Sequence, residues 1–212
     1  MSTLFYLSSA QMDVIRPFFP RSRGIPRRDD QKIISGIIHV LKFGLRWKDA
    51  PKEYGPYKTL YNRFVRWSNM GVFEKIFTAL SESTQDTSLL MIDATCLKAH
   101  RTAASLRKKR ASSRCIGRTK GGLNTKLHVV CDFDGRSIRT LLTAGSISDY
   151  GGAACLLPTL PSTRILLADR GYDAGWIRSF LKNRGCTPCI PSRKNTRVMS
   201  ITTRNNISSI TR

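Results

Sequence analysis

LLMIDAT, residues 89–95, runs from four apolar residues into a single carboxylate, Asp93. An apolar run of this length is typical of a strand that is buried on both faces, and a charge is tolerated only where such a strand leaves the core. RILLADRGY, residues 164–172, repeats the pattern and ends at Asp169. If the two strands are neighbours in one sheet, the carboxylates meet at one edge, an arrangement that chelates Mg²⁺ and drives phosphoryl-transfer chemistry.

The chain carries a large excess of positive charge. Its 36 Lys and Arg residues stand against 14 Asp and Glu, which gives a formal net charge of +22. A charge of this size predicts a polyanionic partner, and nucleic acid is the leading candidate. With 212 residues, 41% of them hydrophobic, the chain has room for one medium domain, or for a small and a medium one.

Other broad classes are disfavoured by the sequence. It has no apolar run of about 18 residues and no basic segment followed by an apolar one at its start, so we expect neither membrane insertion nor secretion and predict a cytoplasmic protein. The six cysteines lack a repeating spacing and are expected to be reduced thiols. Cys186 and Cys189 form a CxxC pair, but His39, His100 and His128 stand singly far from it. A chance pair in a buried strand is therefore favoured over a metal or redox site.

Residues 1–85 are predicted to form a small helical domain. Ser8 and Gln11 match a capping box, and Asp29 or Asp30 can cap a second helix that ends at Gly44. That second helix is expected to bury one apolar face, made of Ile33, Ile37, Ile38 and Leu41. A third helix is predicted to start near Pro56 and to close at Gly71.

The third helix has a polar face that suits DNA. A helix of this kind fits the major groove, and its side chains can reach phosphates and base edges. The residues of the predicted DNA-binding face are Lys58, Thr59, Asn62, Arg63 and Arg66. The alternative is a plain helical bundle whose charged face is only solvated.

Beyond the first strand, residues 98–126 contain ten Lys or Arg residues and no acid. This stretch predicts a flexible or extended segment, either a solvated loop or an arm that contacts phosphates beside Asp93. Strands over 125–133 and 137–143 should then form a hairpin at Asp134-Gly135, which makes Asp132 and Asp134 turn residues rather than catalytic ones.

The remaining elements follow in the order helix, strand, helix, strand. Ser148 or Asp149 can cap the first helix, the strand ends at Asp169, Asp173 can cap the second helix, and a short strand covers 187–190. Three strands followed by these elements predict an α/β fold, a ribonuclease-H-like mixed sheet with flanking helices, preceded by the small all-α, helix-turn-helix-like domain.

Four segments carry a resemblance to a known family. IDATCLKAHRTA (92–103), GGLNTKLH (121–128) and LLADRGYD (166–173) resemble the DDE transposases of bacterial insertion sequences, in the insertion sequence five branch. RWKDAPKEYGPYKTLYNRFVRW (46–67) resembles the helical module that precedes the catalytic domain in that family.

The resemblance implies a site of two aspartates and one glutamate that holds two divalent metals, normally Mg²⁺ with Mn²⁺ as an alternative. Such a site cleaves DNA at the ends of the element and transfers the strand into new DNA. Asp93 matches the first aspartate and Asp169 the second. The cations beside them that could hold DNA phosphates are Lys98, His100, Arg101 and Arg170. The implied partners are the terminal inverted repeats and target DNA, with a homodimer on the DNA.

The third carboxylate of the family has no match in this sequence. No Asp or Glu follows Asp173, whereas the family supplies its glutamate from a downstream helix. The resemblance covers residues 86–194 of the catalytic domain, and 195–212 are expected to be a disordered, aberrant tail of a truncated or frameshifted chain. We therefore expect impaired catalysis. Two alternatives stay open: a catalytically inactive DNA-binding fragment that regulates transposition, and a hydrolytic nuclease of the same fold.

Overall fold

The computed structural model describes residues 4–21, 29–82, 86–100 and 115–192. They belong to two compact units, one that runs to Leu80 and one that begins at Ser81. The predicted arm over 98–126 is described only in part, because residues 101–114 lie outside the described ranges. The predicted tail, 195–212, lies wholly outside them.

The first unit, called the helical unit below, is built from four α-helices joined by short 3₁₀ turns. The helices are α1 (Ser9–Ile15), α2 (Asp30–Phe43), α3 (Tyr57–Asn69) and α4 (Val72–Glu82), and the last two residues of α4 belong to the second unit. The predicted capping box at Ser8 is confirmed: its hydroxyl accepts from the Gln11 amide at 3.2 Å, and the Gln11 side chain accepts from the Ser8 amide at 2.9 Å. Asp29 rather than Asp30 caps α2. Gly44 ends α2 in the left-handed region, with φ at 62°, a conformation that glycine adopts without steric cost.

The core of the helical unit differs from the predicted apolar face in one respect. Ile33 and Ile37 are buried as expected, together with Ile34 and Val40, but Leu41 is 55% exposed. From Leu41 onward, the side chains of the last turn of α2 are exposed. The centre of this core is Trp67, which is fully buried and stacks on Phe19 with ring centroids 4.5 Å apart.

The second unit, called the sheet unit below, is a mixed six-stranded sheet with helices. Its strands are β1 (Leu89–Lys98), β2 (Gly117–Thr119), β3 (Gly122–Cys131), β4 (Ser137–Ala144), β5 (Ile165–Ala168) and β6 (Thr187–Cys189). Its helices are α5 (Asp149–Leu156) and α6 (Gly175–Asn183). The strands run in the order β4-β3-β1-β5-β6, and β2 pairs with the first residues of β3.

The direction of the strands completes the topology. β3 is antiparallel to β1, β2 and β4, whereas β5 is parallel to both β1 and β6. An antiparallel trio followed by parallel strands that return through helices is the predicted ribonuclease-H-like α/β fold, which is confirmed. The apolar core of the sheet unit contains Leu90, Ile92, Val130 and Leu166.

The hairpin between β3 and β4 forms as predicted. The Asp132 carboxylate is buried and accepts from the Arg136 amide at 2.8 Å, and Gly135 has a φ of 77°. Both Asp132 and Asp134 therefore serve the turn. Of the predicted flexible or extended segment, residues 117–126 are extended, because β2 and the start of β3 pair there as antiparallel strands.

The structure also tests the predicted helix cap at Asp173 and the predicted state of the CxxC cysteines. Asp173 was predicted to cap the helix before Gly185, but Ala174 is the N-cap residue of α6. The Asp173 carboxylate instead accepts from the Arg178 guanidinium at 2.8 Å. Cys186 and Cys189 are buried free thiols, as expected, and burial raises the pKa of both.

No helix in the described part of the chain combines the length and apolar character needed to cross a membrane.

Candidate functional site

Asp93 and Asp169 lie side by side at the point where β5 ends. β1 and β5 are parallel, and their last paired residues are Ile92 and Ala168. Asp93 directly follows Ile92, and Asp169 directly follows Ala168. Adjacent strands are about 4.8 Å apart, so the register brings together two carboxylates that are distant in sequence. The structure places both on the exposed surface.

Each of these carboxylates has one oxygen held by the backbone. Oδ1 of Asp93 accepts from the Ala94 amide at 2.7 Å, and Oδ1 of Asp169 accepts from the Gly171 amide at 2.9 Å. The second bond belongs to the 3₁₀ turn Arg170–Tyr172, whose N-cap is Asp169. Hydrogen bonds of this kind fix the orientation of a carboxylate.

A third carboxylate, Asp149, lies beside Asp169. Asp149 is the first residue of α5, which Ser148 caps through its hydroxyl. A Cβ built on Gly171 would lie 2.6 Å from Oδ2 of Asp149 and 3.0 Å from Oδ1 of Asp169. The two oxygens are therefore separated by no more than the sum of those distances. The sequence suggested only a capping role for Asp149, and no local pattern indicates its approach to Asp169.

Lys126 holds Asp149 from the neighbouring strand. Its ammonium lies 2.9 Å from Oδ1 of Asp149, and the two side chains are only 13% and 30% exposed. His128, two residues along β3, is fully buried under α5, where a Cβ on Gly152 would lie 2.3 Å from its ring. Burial, assisted by the charge of Lys126, lowers the pKa of His128, so its neutral form is favoured. The His128 Nε2 lies 3.0 Å from the Thr143 hydroxyl.

Tyr172 is a buried residue whose pKa is affected by the charges of all three carboxylates. It is 1% exposed, and its hydroxyl has no hydrogen-bond partner among the described residues. Burial raises the pKa of Tyr172, and the charges of Asp149, Asp93 and Asp169 raise it further. The phenol therefore keeps its proton and remains a hydrogen-bond donor.

The chemistry of these groups fits a divalent cation. Mg²⁺ prefers oxygen ligands, is usually bound through one or two carboxylates, and keeps several of its waters. Asp93 and Asp169 supply two exposed carboxylates, and the backbone bonds above engage only Oδ1 of each. Within the described ranges, no three His, Cys, Asp or Glu residues are grouped closely enough to hold an ion by themselves.

Of the four basic residues predicted to lie near this site, the structure describes three. Lys98 is the last residue of β1, and Lys98, His100 and Arg170 are all exposed. Arg101 lies outside the described residues. Their role as phosphate contacts stays a prediction.

The predicted DNA-binding residues of α3 separate into two groups. Lys58, Asn62 and Arg66 are exposed and recur every four residues, so they form one stripe along the helix; Thr59 beside them is half-buried. Arg63 is 18% exposed, lies 3.4 Å from the Asp30 carboxylate and sits 5.3 Å above the Trp67 ring. These contacts give Arg63 a structural role, and its contact with DNA stays a prediction.

Comparison with known proteins identifies two family models. Residues 84–211 match the model described as "Transposase DDE domain", and residues 7–77 match "Putative transposase of IS4/5 family (DUF4096)". The first match covers more than half of the chain and includes both Asp93 and Asp169.

Individual relatives and solved structures are also similar. An uncharacterised protein of Sinorhizobium fredii, y4sN, is 31% identical over 48% of this chain and 83% of its own length. The "Putative transposase for insertion sequence element IS402" of Burkholderia cepacia is 30% identical over 44% of this chain, and the match spans only 54% of that protein. A cryo-EM structure of the piggyBac transposase synaptic complex with hairpin DNA aligns with a TM-score of 0.48 and 12% identity, over 86% of this chain and 46% of that one.

Proposed function

Because this chain belongs to the family of transposases with a DDE domain, we propose that it acts on the ends of an insertion sequence, where it cleaves DNA and transfers the strand in a metal-dependent reaction. Asp93 and Asp169 are the proposed ligands of Mg²⁺ or Mn²⁺. The observation that carries this proposal is the register of β1 and β5, which sets these two carboxylates next to each other.

The residues of the sheet unit have distinct tasks in this proposal. Asp93 and Asp169 bind divalent cations, which when bound activate the attacking oxygen and stabilise the leaving oxygen of an in-line displacement. The amides of Ala94 and Gly171 keep the carboxylates oriented. Lys98, His100, Arg101 and Arg170 are proposed to hold phosphates of the DNA backbone, since cations near the cut are needed to offset its charge.

The helical unit is proposed to bind the terminal inverted repeats. Its exposed stripe of Lys58, Asn62 and Arg66 combines cations for phosphates with an amide that can read a base edge. Thr59 and Arg63, at the margin of the stripe, are the less exposed members of the predicted set. Two copies of the chain on paired ends, as a homodimer, would present two such stripes.

The test is a reaction with purified full chain and a supercoiled plasmid that carries the DNA flanking the gene at its own locus. Mg²⁺ or Mn²⁺ should produce breaks at defined positions and joined products, detected by gel electrophoresis and sequencing of the junctions. Asp93→Asn should remove both activities, whereas Asp134→Asn, in the β3–β4 turn, should not. Metal-dependent breaks without joined products would instead identify a hydrolytic nuclease.

A second candidate function is regulation without catalysis. It is favoured by one observation: the formal net charge of +22 supports binding to DNA whether or not the chain cleaves it. In this reading the chain occupies the element ends and competes with an active transposase. Specific binding of the flanking DNA, with neither breaks nor joined products in either metal, would support it. Cleavage and joining at the rate of a relative that has the glutamate would exclude it.

A further inference from the structure

We propose that Tyr57 and Tyr61 recognise thymine, because their rings contact the C5-methyl groups of A·T base pairs in the major groove beside the stripe on α3. This inference rests on the proposed function, since it concerns the DNA that the helical unit binds. The two tyrosines carry no charge and do not belong to the stripe. They add a sequence-selective apolar contact to its polar ones.

Tyr57 and Tyr61 form an exposed aromatic row along α3. Tyr57 is 42% exposed and Tyr61 is 46% exposed. They are four residues apart, so they lie on one side of the helix, and each directly precedes a member of the stripe, Lys58 or Asn62. The core of the helical unit is filled from another side of α3, by the fully buried Trp67. The aromatic row is therefore apolar surface that folding leaves half uncovered, next to the residues proposed to contact DNA.

The ring of Tyr61 is supported from the protein side. It meets the ring of Trp47 edge-on, with centroids 5.7 Å apart and an interplanar angle of 63°. The Trp47 ring lies 5.0 Å from that of Phe64, and both of these residues pack against the core of the helical unit. Aromatic pairs of this geometry are favourable, so contacts on one side hold the Tyr61 ring while the other side stays open. A ring that is already held loses little freedom when it binds.

The aromatic row lies at the end of α3 that is expected to reach base edges. Tyr57 is the first residue of the helix and Tyr61 the fifth, whereas Arg66 is the tenth. In helix-turn-helix proteins, the N-terminal residues of the helix in the major groove contact the bases. The two tyrosines are thus placed for contacts with bases, and Arg66 for a contact with the DNA backbone.

The thymine methyl group is the part of the major groove that suits these rings. Base edges in that groove otherwise present hydrogen-bond donors and acceptors, and the methyl group at C5 of thymine is the apolar contact that they offer. Phosphates are bound by cations, which α3 supplies at Lys58 and Arg66. Two rings one helical turn apart should therefore favour A·T pairs at neighbouring positions of the bound sequence.

The experiment uses the full chain and a labelled duplex of the DNA that flanks the gene at its own locus. A second duplex carries uracil, which lacks only the C5-methyl group, in place of thymine. Fluorescence anisotropy should show that the wild type binds the uracil duplex more weakly, about fourfold for each methyl group that loses its contact. Tyr57→Ala with Tyr61→Ala should remove this difference. Tyr61→Phe, which keeps the ring, should retain it, as should Tyr6→Ala at an exposed aromatic residue outside α3.

The outcomes separate this inference from the proposed function. Equal wild-type affinity for the two duplexes, with weaker binding of a scrambled duplex, would overturn the thymine contact and leave DNA binding by the helical unit standing. Equal binding of the flanking and scrambled duplexes would overturn both. These comparisons use only the wild type, so they stay decisive if the double alanine variant does not fold.

The double alanine variant supplies the second test. If circular dichroism shows it folded and it keeps the full preference for the thymine duplex, the two rings do not contact the methyl groups and the inference is overturned. An unchanged preference together with altered sedimentation of the free chain would identify the aromatic row as a protein contact instead. Loss of the preference with wild-type sedimentation supports the contact with thymine.

Discussion

The helical unit and the sheet unit place their candidate functional residues in opposite ways. In the helical unit, Lys58, Asn62 and Arg66 lie along one helix, α3, at a spacing that the helix itself provides. In the sheet unit, Asp93, Asp149 and Asp169 come from β1, α5 and the end of β5. A surface on one helix changes gradually as single residues are replaced. A site assembled from three elements depends on the register and packing of all of them.

The largest expected effect separates the stability of the two units. Trp67→Ala removes the fully buried centre of the helical core, and changes of this kind cost about 3–5 kcal/mol. In urea unfolding followed by circular dichroism, we expect a transition of the helical unit to move to lower denaturant. Trp176→Ala, at a residue 44% exposed, is the matched control. A single unchanged transition in the Trp67 variant would contradict the assignment of this core.

The next prediction concerns the site of the sheet unit. Asp169→Asn should lower the rate of metal-dependent DNA cleavage by about two orders of magnitude, the scale at which single charged groups act in active sites. Binding of DNA by the stripe on α3 should not weaken, because the change removes a negative charge. Cleavage kinetics and fluorescence anisotropy of labelled DNA measure the two properties. If Asp169→Asn lowered DNA cleavage and DNA binding to the same extent, the assignment of cleavage to the sheet unit and of binding to the helical unit would be wrong.

The stripe on α3 predicts a smaller and more graded effect. Each Lys or Arg that neutralises a phosphate contributes about one unit to the salt dependence of binding. Lys58→Ala with Arg66→Ala should therefore reduce the slope of log affinity against log salt by about two. Lys48→Ala with Lys52→Ala, also exposed and in the helical unit, is the charge-matched control. Equal slopes for the two double variants would refute the stripe.

Arg63 sharpens the same comparison. It contacts Asp30 and Trp67, so Arg63→Ala should lower the free energy of unfolding more than Arg66→Ala does, through lost packing and a lost ion pair. Arg66→Ala should in turn have the larger effect on the salt slope. Urea unfolding and anisotropy titrations on both variants measure these two effects. A larger effect of Arg63→Ala than of Arg66→Ala on the salt slope would support Arg63 as a direct DNA contact.

The smallest expected effect is a pH dependence of stability in the sheet unit. Burial lowers the pKa of His128 in the folded state, with Lys126 lowering it further and Asp149 opposing the shift. The stabilisation is therefore complete above the unfolded pKa of about 6.5 and is lost as the pH falls, because the unfolded chain binds the proton more readily. Urea unfolding at pH 7.5 and pH 5 should show this loss in the wild type and less of it in His128→Gln.

Several features follow from local sequence, and the structure confirms them. The apolar runs that end in Asp93 and Asp169 form the strands β1 and β5, as expected for short apolar runs bounded by turn signals. The Ser8–Gln11 capping box and the turn at Asp134-Gly135 form as predicted, since caps and turns depend on groups only a few residues apart.

Tertiary structure alone decides what the remaining side chains contact. Asp149 has the sequence context of a helix start, and its approach to Asp169 depends on how α5 packs over β3 and on the absence of a side chain at Gly171. Asp173 could equally have capped α6, but its ion pair with Arg178 engages it instead. A sequence shows which groups can ionise or cap; which of several partners each one meets depends on distances between elements that are remote along the chain, and these are set only when the core has packed.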